Sequence, residues 1–255
     1  MIGVFDSGLG GLSVLREITD LLPGHDLLYL ADRQFAPYGD RSLDDVRHRS
    51  ETVARWIVDR GVDAVVVACN TASAASLHHL RDVFEDVPFI GMEPAVKPAA
   101  ARSRSGAIGV IATDATFQGT LFASLVADHG ADVDVVTRAC PGLADHVDRG
   151  DVDSPQLVAL VERHLRPLAD SAIDVLVLGC THYPFLSEVI SRVVGPGVDV
   201  IDPAPAVARQ VERVVGRGSD AGSIELATTG DAEAVTAAAQ RLMGWDLGFR
   251  QVTIA

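Results

Sequence analysis

Two of the three cysteines, Cys69 and Cys180, close the same kind of segment. Asp63-Ala-Val-Val-Val-Ala-Cys69-Asn70-Thr71 is similar to Asp174-Val-Leu-Val-Leu-Gly-Cys180-Thr181-His182, and the two sulfurs lie 111 residues apart. A short apolar run ending on a thiol puts that thiol at the carboxyl end of a buried parallel strand, outside which ligands bind in open α/β sheets. The helix N-terminus expected just beyond supplies free N–H groups and positive potential, which lower a thiol pKa from its free value of about 8.5. If the two segments face each other across one cleft, a substrate between them has a thiol on each side. One thiolate then removes a proton from carbon and the opposite thiol returns one to the other face, which inverts a stereocentre. Cysteine can serve as acid or base near neutral pH. The carbanion needs donors aimed at its developing charge, and Asn70, Thr71, Thr181 and His182 are of the right type, at positions that can also hold a carboxylate. His182, two residues after Cys180, can assist that thiol. The blander reading, two buried thiols kept by duplication, leaves those polar residues unexplained. Cys140 has no repeat partner, precedes Pro141 and reads as packing.

Other segments belong to the same strand ends. Phe5-Asp6-Ser7-Gly8-Leu9-Gly10-Gly11 follows the first strand, where glycines permit close backbone approach to a ligand. It is neither a dinucleotide fingerprint, since Ser13 stands at the third glycine position, nor a P-loop, since no lysine follows. Asp6 can receive a substrate ammonium or tune a neighbouring thiol. Tyr38 and Gly39, in the loop after the second strand, can line the cleft. Thr113 and Thr116 occupy the place equivalent to the Asp6 loop and either bind substrate or cap the next helix. His78 and His79 share a helix with no third ligand nearby, so no metal site is expected. His25, His48, His129, His146 and His164 read as surface residues.

The elements that must position these residues repeat. Ile90 and Pro94 match Ile201 and Pro205 at the same offset of 111 as the cysteines, and Ile2-Gly3-Val4 matches Ile108-Gly109-Val110 at 106. Strands are expected at 2–5, 27–30, 64–68 and 88–91 with helices at 10–21, 43–60 and 71–84. Their counterparts are strands at 107–111, 132–136, 174–178 and 198–201 with helices at 116–128, 154–169 and 184–194. Such alternation reads as βαβ units: an α/β fold of two pseudo-symmetric doubly wound parallel-sheet domains with the site in the cleft between them. A helix at 205–215, a strand at 224–228 and a helix at 231–242 have no counterpart in the first half and are expected to rejoin the first domain. Residues 1–95 plus 207–255 would then form one domain and 96–206 the other. The stretch 216–223 reads as a loop.

Bulk properties narrow the function. A net charge of −14 comes with no basic run, so no nucleic-acid partner is expected. The apolar runs are too short for a membrane span and the start has no basic leader, so a cytoplasmic protein is expected. Three cysteines without zinc-type spacing make neither a disulfide framework nor a metal centre.

Taken together, Phe5-Asp6-Ser7-Gly8-x-Gly10-Gly11, Pro37-Tyr38-Gly39, Ala68-Cys69-Asn70-Thr71-Ala72, Gly109-Val110-Ile111-Ala112-Thr113, Gly179-Cys180-Thr181-His182-Tyr183-Pro184 and Thr228-Thr229-Gly230-Asp231 carry a resemblance to bacterial glutamate racemases along nearly the whole chain. The resemblance implies interconversion of L- and D-glutamate without pyridoxal phosphate, metal or other cofactor, supplying D-glutamate for peptidoglycan, in a homodimer. It implies that Cys69 and Cys180 are the acid–base pair, assisted by Asp6 and His182. Asp6, Ser7, Tyr38, Gly39, Asn70, Thr71, Thr181 and His182 match substrate-contacting positions. The chain departs at Asp148, where the family usually has glutamate, and at Gly119 and Phe122, where serine and tyrosine are usual. Rival readings are an aspartate racemase of the same fold, a non-catalytic amino-acid-binding or regulatory protein, and a thiol hydrolase. The Thr181-His182-Tyr183-Pro184 run favours glutamate over aspartate.

Overall fold

The computed structural model describes residues 1–130, 132–218 and 221–254. The first half runs β1 (Ile2–Asp6), α1 (Leu12–Leu21), β2 (Leu27–Ala31), α2 (Leu43–Val58), β3 (Ala64–Val67), α3 (Asn70–Val83) and β4 (Phe89–Gly91). The chain then passes through α4 (Val96–Arg102) to β5 (Ala107–Ala112), α5 (Asp114–Gln118), α6 (Thr120–His129), β6 (Asp134–Ala139), α7 (Leu143–Asp148), α8 (Pro155–Ala169) and β7 (Val175–Leu178). A 3-10 turn at Tyr183–Leu186 leads into α9 (Ser187–Val194) and β8 (Asp199–Ile201). The remainder is α10 (Ala204–Val215), β9 (Ile224–Thr228), α11 (Ala232–Met243) and β10 (Phe249–Gln251).

Two parallel sheets result, ordered β10-β9-β2-β1-β3-β4 and β6-β5-β7-β8. The run β2-β1-β3-β4 repeats as β6-β5-β7-β8, and the register repeats too: Ile2 sits opposite Ala64 as Ile108 sits opposite Val175. In each sheet the strand order reverses beside the first strand of the half. The crevice this opens is flanked by the Asp6 loop and Cys69 in one half, and by Thr113 and Cys180 in the other. β9 pairs with β2, so the last segment of the chain adds to the first sheet.

The strands β1, β2, β3, β5 and β7 are buried on both faces, and period-two alternation divides their side chains. Val4, Tyr29 and Val66 face α1 and α10; Phe5, Leu30 and Val67 face α2 and α3. In the second sheet Leu176 and Leu178 meet α8 and α9, and Val175 and Val177 meet α4 and α6. Helix starts carry their own signals. Ser42 accepts from Asp45 N at 3.1 Å, Asp231 from Ala234 N at 2.8 Å, and Ser154 from Leu157 N at 3.2 Å with Pro155 following.

Most expected elements lie within two residues of their observed bounds. The strand expected at 132–136 is β6 at Asp134–Ala139. It is a half-exposed edge strand whose register is set by pairing with β5, not by its own pattern. The helix expected at 116–128 breaks into α5 and α6 at an extended Gly119. A Cβ there would lie 2.8 Å from the Ala74 Cβ on α3, a contact between the halves that local periodicity does not record. The helix expected at 184–194 begins as the 3-10 turn. Helices α4 and α7 and strand β10 were not anticipated. His164 is buried, not on the surface: it continues the Leu157–Val161–Leu168 face of α8 and donates from Nε2 to Pro141 O at 3.0 Å. In the loop expected at 216–223, Ser219 and Asp220 lie outside the described residues, and the others carry no helix or strand.

Leu176, fully buried in β7, should lose about 2–5 kcal/mol on truncation to alanine, because the sheet is covered on both faces and cannot collapse into the gap. Removal of the Ser154 cap should cost about 1 kcal/mol. Urea unfolding of Leu176→Ala and Ser154→Ala checks the order; equal losses would contradict it.

Candidate active site

Cys69 is the residue from which α3 starts. Its extended backbone (φ −143°, ψ 120°) turns the sulfur back over the helix, where it accepts from Ala72 N at 3.5 Å. Cys180 follows β7 through Gly179, whose amide donates to Ile111 O at 2.7 Å; a Cβ at Gly179 would stand 2.8 Å from that oxygen. Both sulfurs line one cavity of about 260 Å³, the scale of a small polar metabolite. Ser7, Tyr38, Gly39, Asn70 and Thr71 line it from the first half, and Thr113, Cys140, Asp148, Thr181 and His182 from the second. Asp6 and Thr116 stand just behind this wall. All twelve candidate site residues therefore come together.

Each thiol has its own polar neighbours. Ser7 Oγ lies 3.8 Å from Cys69 Sγ and 3.3 Å from Asp6 Oδ1. Asp6 is fully buried at the end of β1, accepting from Ser7 N at 2.7 Å, Gly11 N at 2.5 Å and Thr181 Oγ1 at 3.2 Å. Burial pushes its carboxyl above the usual range, against the nearby His182 charge and these bonds. Burial, and then the Asp6 charge, push the Cys69 thiol well up; the Ala72 N–H opposes them and loses. The expected lowering of this thiol by the helix terminus is thus corrected: desolvation of a buried sulfur outweighs one backbone donor.

Cys180 faces an imidazole instead, with His182 Nδ1 at 3.6 Å. His182 Nε2 lies 3.0 Å from Asp148 Oδ1, which also accepts from Leu9 N at 2.8 Å; Asp148 Oδ2 pairs with Arg33. Burial works against a charged ring, but Asp148, with Cys180, outweighs it and holds His182 well above its ordinary value. Burial likewise opposes the Asp148 charge, and His182 and Arg33 overcome it, so that carboxyl titrates low.

The flanks of the cavity are related by the repeat yet differ in chemistry. On one, the Gly8–Gly10 loop meets Asp148, Thr181 and His182. On the other, Thr113 Oγ1 lies 2.9 Å from both Thr71 Oγ1 and Thr116 Oγ1, against Gly39. Thr113 both caps α5 and joins this contact. Asn70 is buried in the wall with neither side-chain polar atom partnered among the described residues. Since buried amides are nearly always satisfied, Asn70 is poised for a ligand carrying both a donor and an acceptor.

Several features escaped sequence reasoning. The Tyr38 hydroxyl turns away to donate to Asp32 Oδ2 at 2.7 Å, so Tyr38 serves as wall. Asp32 in turn is gripped by Arg49 at 2.7 and 2.8 Å and by Thr229 Oγ1 at 2.8 Å. Cys140 packs as expected, but it also lines the cavity; burial pushes its thiol up to about 12, which keeps it protonated. The signal for Arg33 was a charged residue two positions past the end of β2.

Comparison with known proteins agrees with this frame. The model of the Asp/Glu/hydantoin racemase family matches residues 2–211. A glutamate racemase of Roseiflexus is 48% identical over 239 residues, covering 91% of this chain and 88% of that one. The crystal structure of a glutamate racemase isoform from Bacillus anthracis superposes with a TM-score of 0.92 at 32% identity, over 100% of this chain and 97% of the other. A glutamate racemase from Thermus thermophilus, in complex with β-chloro-D-alanine, gives 0.82 at 37% identity over 99% and 96%. The motif resemblance is borne out along the length of the fold: the chain belongs to the Asp/Glu/hydantoin racemase family and is a racemase.

Proposed function

We propose that the enzyme interconverts L- and D-glutamate by proton transfer between two thiols, Cys69 and Cys180. The observation that carries this reading is the placement of both sulfurs on one small cavity, at equivalent strand ends of the two halves, each with its own polar neighbours. Relatives such as those of Roseiflexus and Pseudomonas aeruginosa, which are glutamate racemases, support glutamate as the substrate.

For one enantiomer Cys69, which holds its proton beside Asp6, is the acid, and Cys180, with the His182 ring beside it, is the base. Cys180 takes the α-proton as a thiolate and the electron pair moves into the substrate carboxylate. Cys69 then delivers its proton to the opposite face and is left as thiolate. The other enantiomer meets the reversed arrangement, and Asp6 and His182 carry the protons that reset it. Asn70 answers the substrate with Nδ2 toward the carboxylate and Oδ1 toward the ammonium. Thr71, Thr181 and the α3 amides stabilise charge that develops on the carboxylate in the transition state. Ser7, Thr113 and Thr116 complete the polar wall, with Tyr38 and Gly39 closing it. We further infer two domains, 1–95 with 207–255 and 96–206, a cytoplasmic homodimer, and D-glutamate destined for peptidoglycan.

Cys69→Ser and Cys180→Ser should each lower kcat by about 10²–10⁴-fold or more while leaving the melting temperature nearly unchanged. Circular dichroism of L- and D-glutamate, with α-deuterium incorporation in deuterated water, reads the loss; normal turnover in either variant would end the two-thiol reading. The pH dependence follows from the raised His182 value: the imidazolium persists above the ordinary imidazole range, and activity falls as pH rises through its actual pKa. Asp148→Asn removes the charge responsible, so the alkaline limb of kcat/KM should move to lower pH. A limb that stays in place would show that His182 does not set it.

A further inference from the structure

Both oxygens of Asp148 are held from the opposite half of the molecule. Oδ1 accepts from Leu9 N, in the loop after β1, and Oδ2 pairs with Arg33, just after β2. Asp148 itself lies at the end of α7 in the second half, with the His182 and Cys180 it serves. The fit is tight: a Cβ on Gly8 would stand 2.5 and 2.6 Å from the two carboxylate oxygens.

Arg33 is mounted on a rigid support. Its neighbour Asp32 is locked by Arg49 and Thr229, and Gln34 N donates to Thr229 Oγ1 at 3.0 Å. Gly230 makes room for the stem, since a Cβ there would lie 2.7 Å from the Arg33 Cβ. Arg33 is 24% exposed and Asp148 9%, so the guanidinium stands between a nearly buried carboxylate and solvent.

We infer that Arg33 is a positioning residue for racemisation: reaching across the cleft, it fixes Asp148 in the orientation that aims His182 at Cys180, so this proton relay is complete only when the two halves are closed on each other. Without the guanidinium, Asp148 Oδ2 is a nearly buried charged oxygen with no partner, and the carboxylate rotates toward the water that enters in its place. That rotation takes Oδ1 off His182. The flank opposite is held by the threonine hydroxyls and has no such dependence. The inference rests on the assignment of Cys180 as an acid–base thiol, but the geometry it describes is present in the resting enzyme.

The test uses Arg33→Met, which keeps the bulk, and Arg33→Lys, which keeps the charge, in the full chain. Displacing a reacting group by about 1 Å costs about 10²-fold in rate. Arg33→Met should therefore lose kcat by about that factor for both enantiomers of glutamate, with KM changed far less, and Arg33→Lys should recover most of it. In parallel, the His182 Nε2–H proton, hydrogen-bonded to a carboxylate and shielded from solvent, should give a low-field NMR resonance in the resting enzyme, assigned by its loss in Asp148→Asn. The resonance should vanish in Arg33→Met and return in Arg33→Lys. Its persistence in Arg33→Met, an unchanged kcat there, or equal losses in both variants would each overturn the inference. Because the resonance needs no turnover, it separates a failure of Arg33 from a failure of the two-thiol reading, which the cysteine variants report.

Discussion

The site depends on how closely two backbones approach across the cleft. Gly8, Gly10 and Gly11 occupy the loop where the first half meets Asp148, Thr181 and His182, and a side chain at Gly10 would stand 2.5 Å from Thr181 Oγ1. Only with that space empty can Asp6 receive the Thr181 hydroxyl and Leu9 donate to Asp148, bonds between residues 175 and 139 positions apart. The same device recurs on the other flank, where Gly39 admits Thr113 and Gly119 admits Ala74. Glycine here is placed for its missing Cβ, not for unusual dihedrals: none of these positions has a positive φ. The approach brings two strand ends to one cavity and also desolvates everything between them, which is why the titratable groups shift as they do.

Duplication supplies a scaffold with matched strand ends but not matched chemistry. The sulfurs occupy equivalent positions, whereas Asp6 attends one and His182 with Asp148 the other. Burial drives Asp6 and Cys69 toward their protonated forms, and the ion pair drives His182 toward its charged form. In the mechanism we propose, this difference makes one thiol a donor and its counterpart an acceptor before substrate arrives. Two equivalent environments would let a single shared proton sit on either sulfur equally, so in that mechanism the difference in neighbours sets which thiol holds it.

What could be read from the residue order was what local chemistry decides. Val65, Val66 and Val67 announce a strand buried on both faces, and the 111-residue offset between Cys69 and Cys180 announces that this strand occurs twice. Most of the candidate residues follow if strand ends in matched halves share a cleft, while Ser7 came only with the family resemblance. Contacts with distant residues were not legible. The break between α5 and α6 answers to Ala74, the burial of His164 to the Pro141 carbonyl, and the turned-away Tyr38 hydroxyl to an Asp32 held by Arg49 and Thr229. The misjudged direction for the Cys69 thiol is of the same kind. The helix terminus is local and visible in sequence, whereas the burial that overrides it is produced by the whole fold.

Thermodynamics limits how far the asymmetry of the two sides can be expressed. L- and D-glutamate are mirror images, so their equilibrium constant in water is one, and kcat/KM must be the same in both directions whatever the protein does. Weakening the His182 side alone cannot favour one enantiomer in that ratio; it lowers both values together. In the mechanism we propose, the unequal neighbours of the two thiols therefore appear only as different kcat and KM for the two enantiomers. A buried carboxyl beside one sulfur and a buried ion pair beside the other cannot be matched by burial alone, since desolvation pushes a carboxyl up and an imidazole down. The charge on Asp148 is what brings His182 back up, so in the mechanism we propose the readiness of the His182 side depends on how firmly that carboxylate is held.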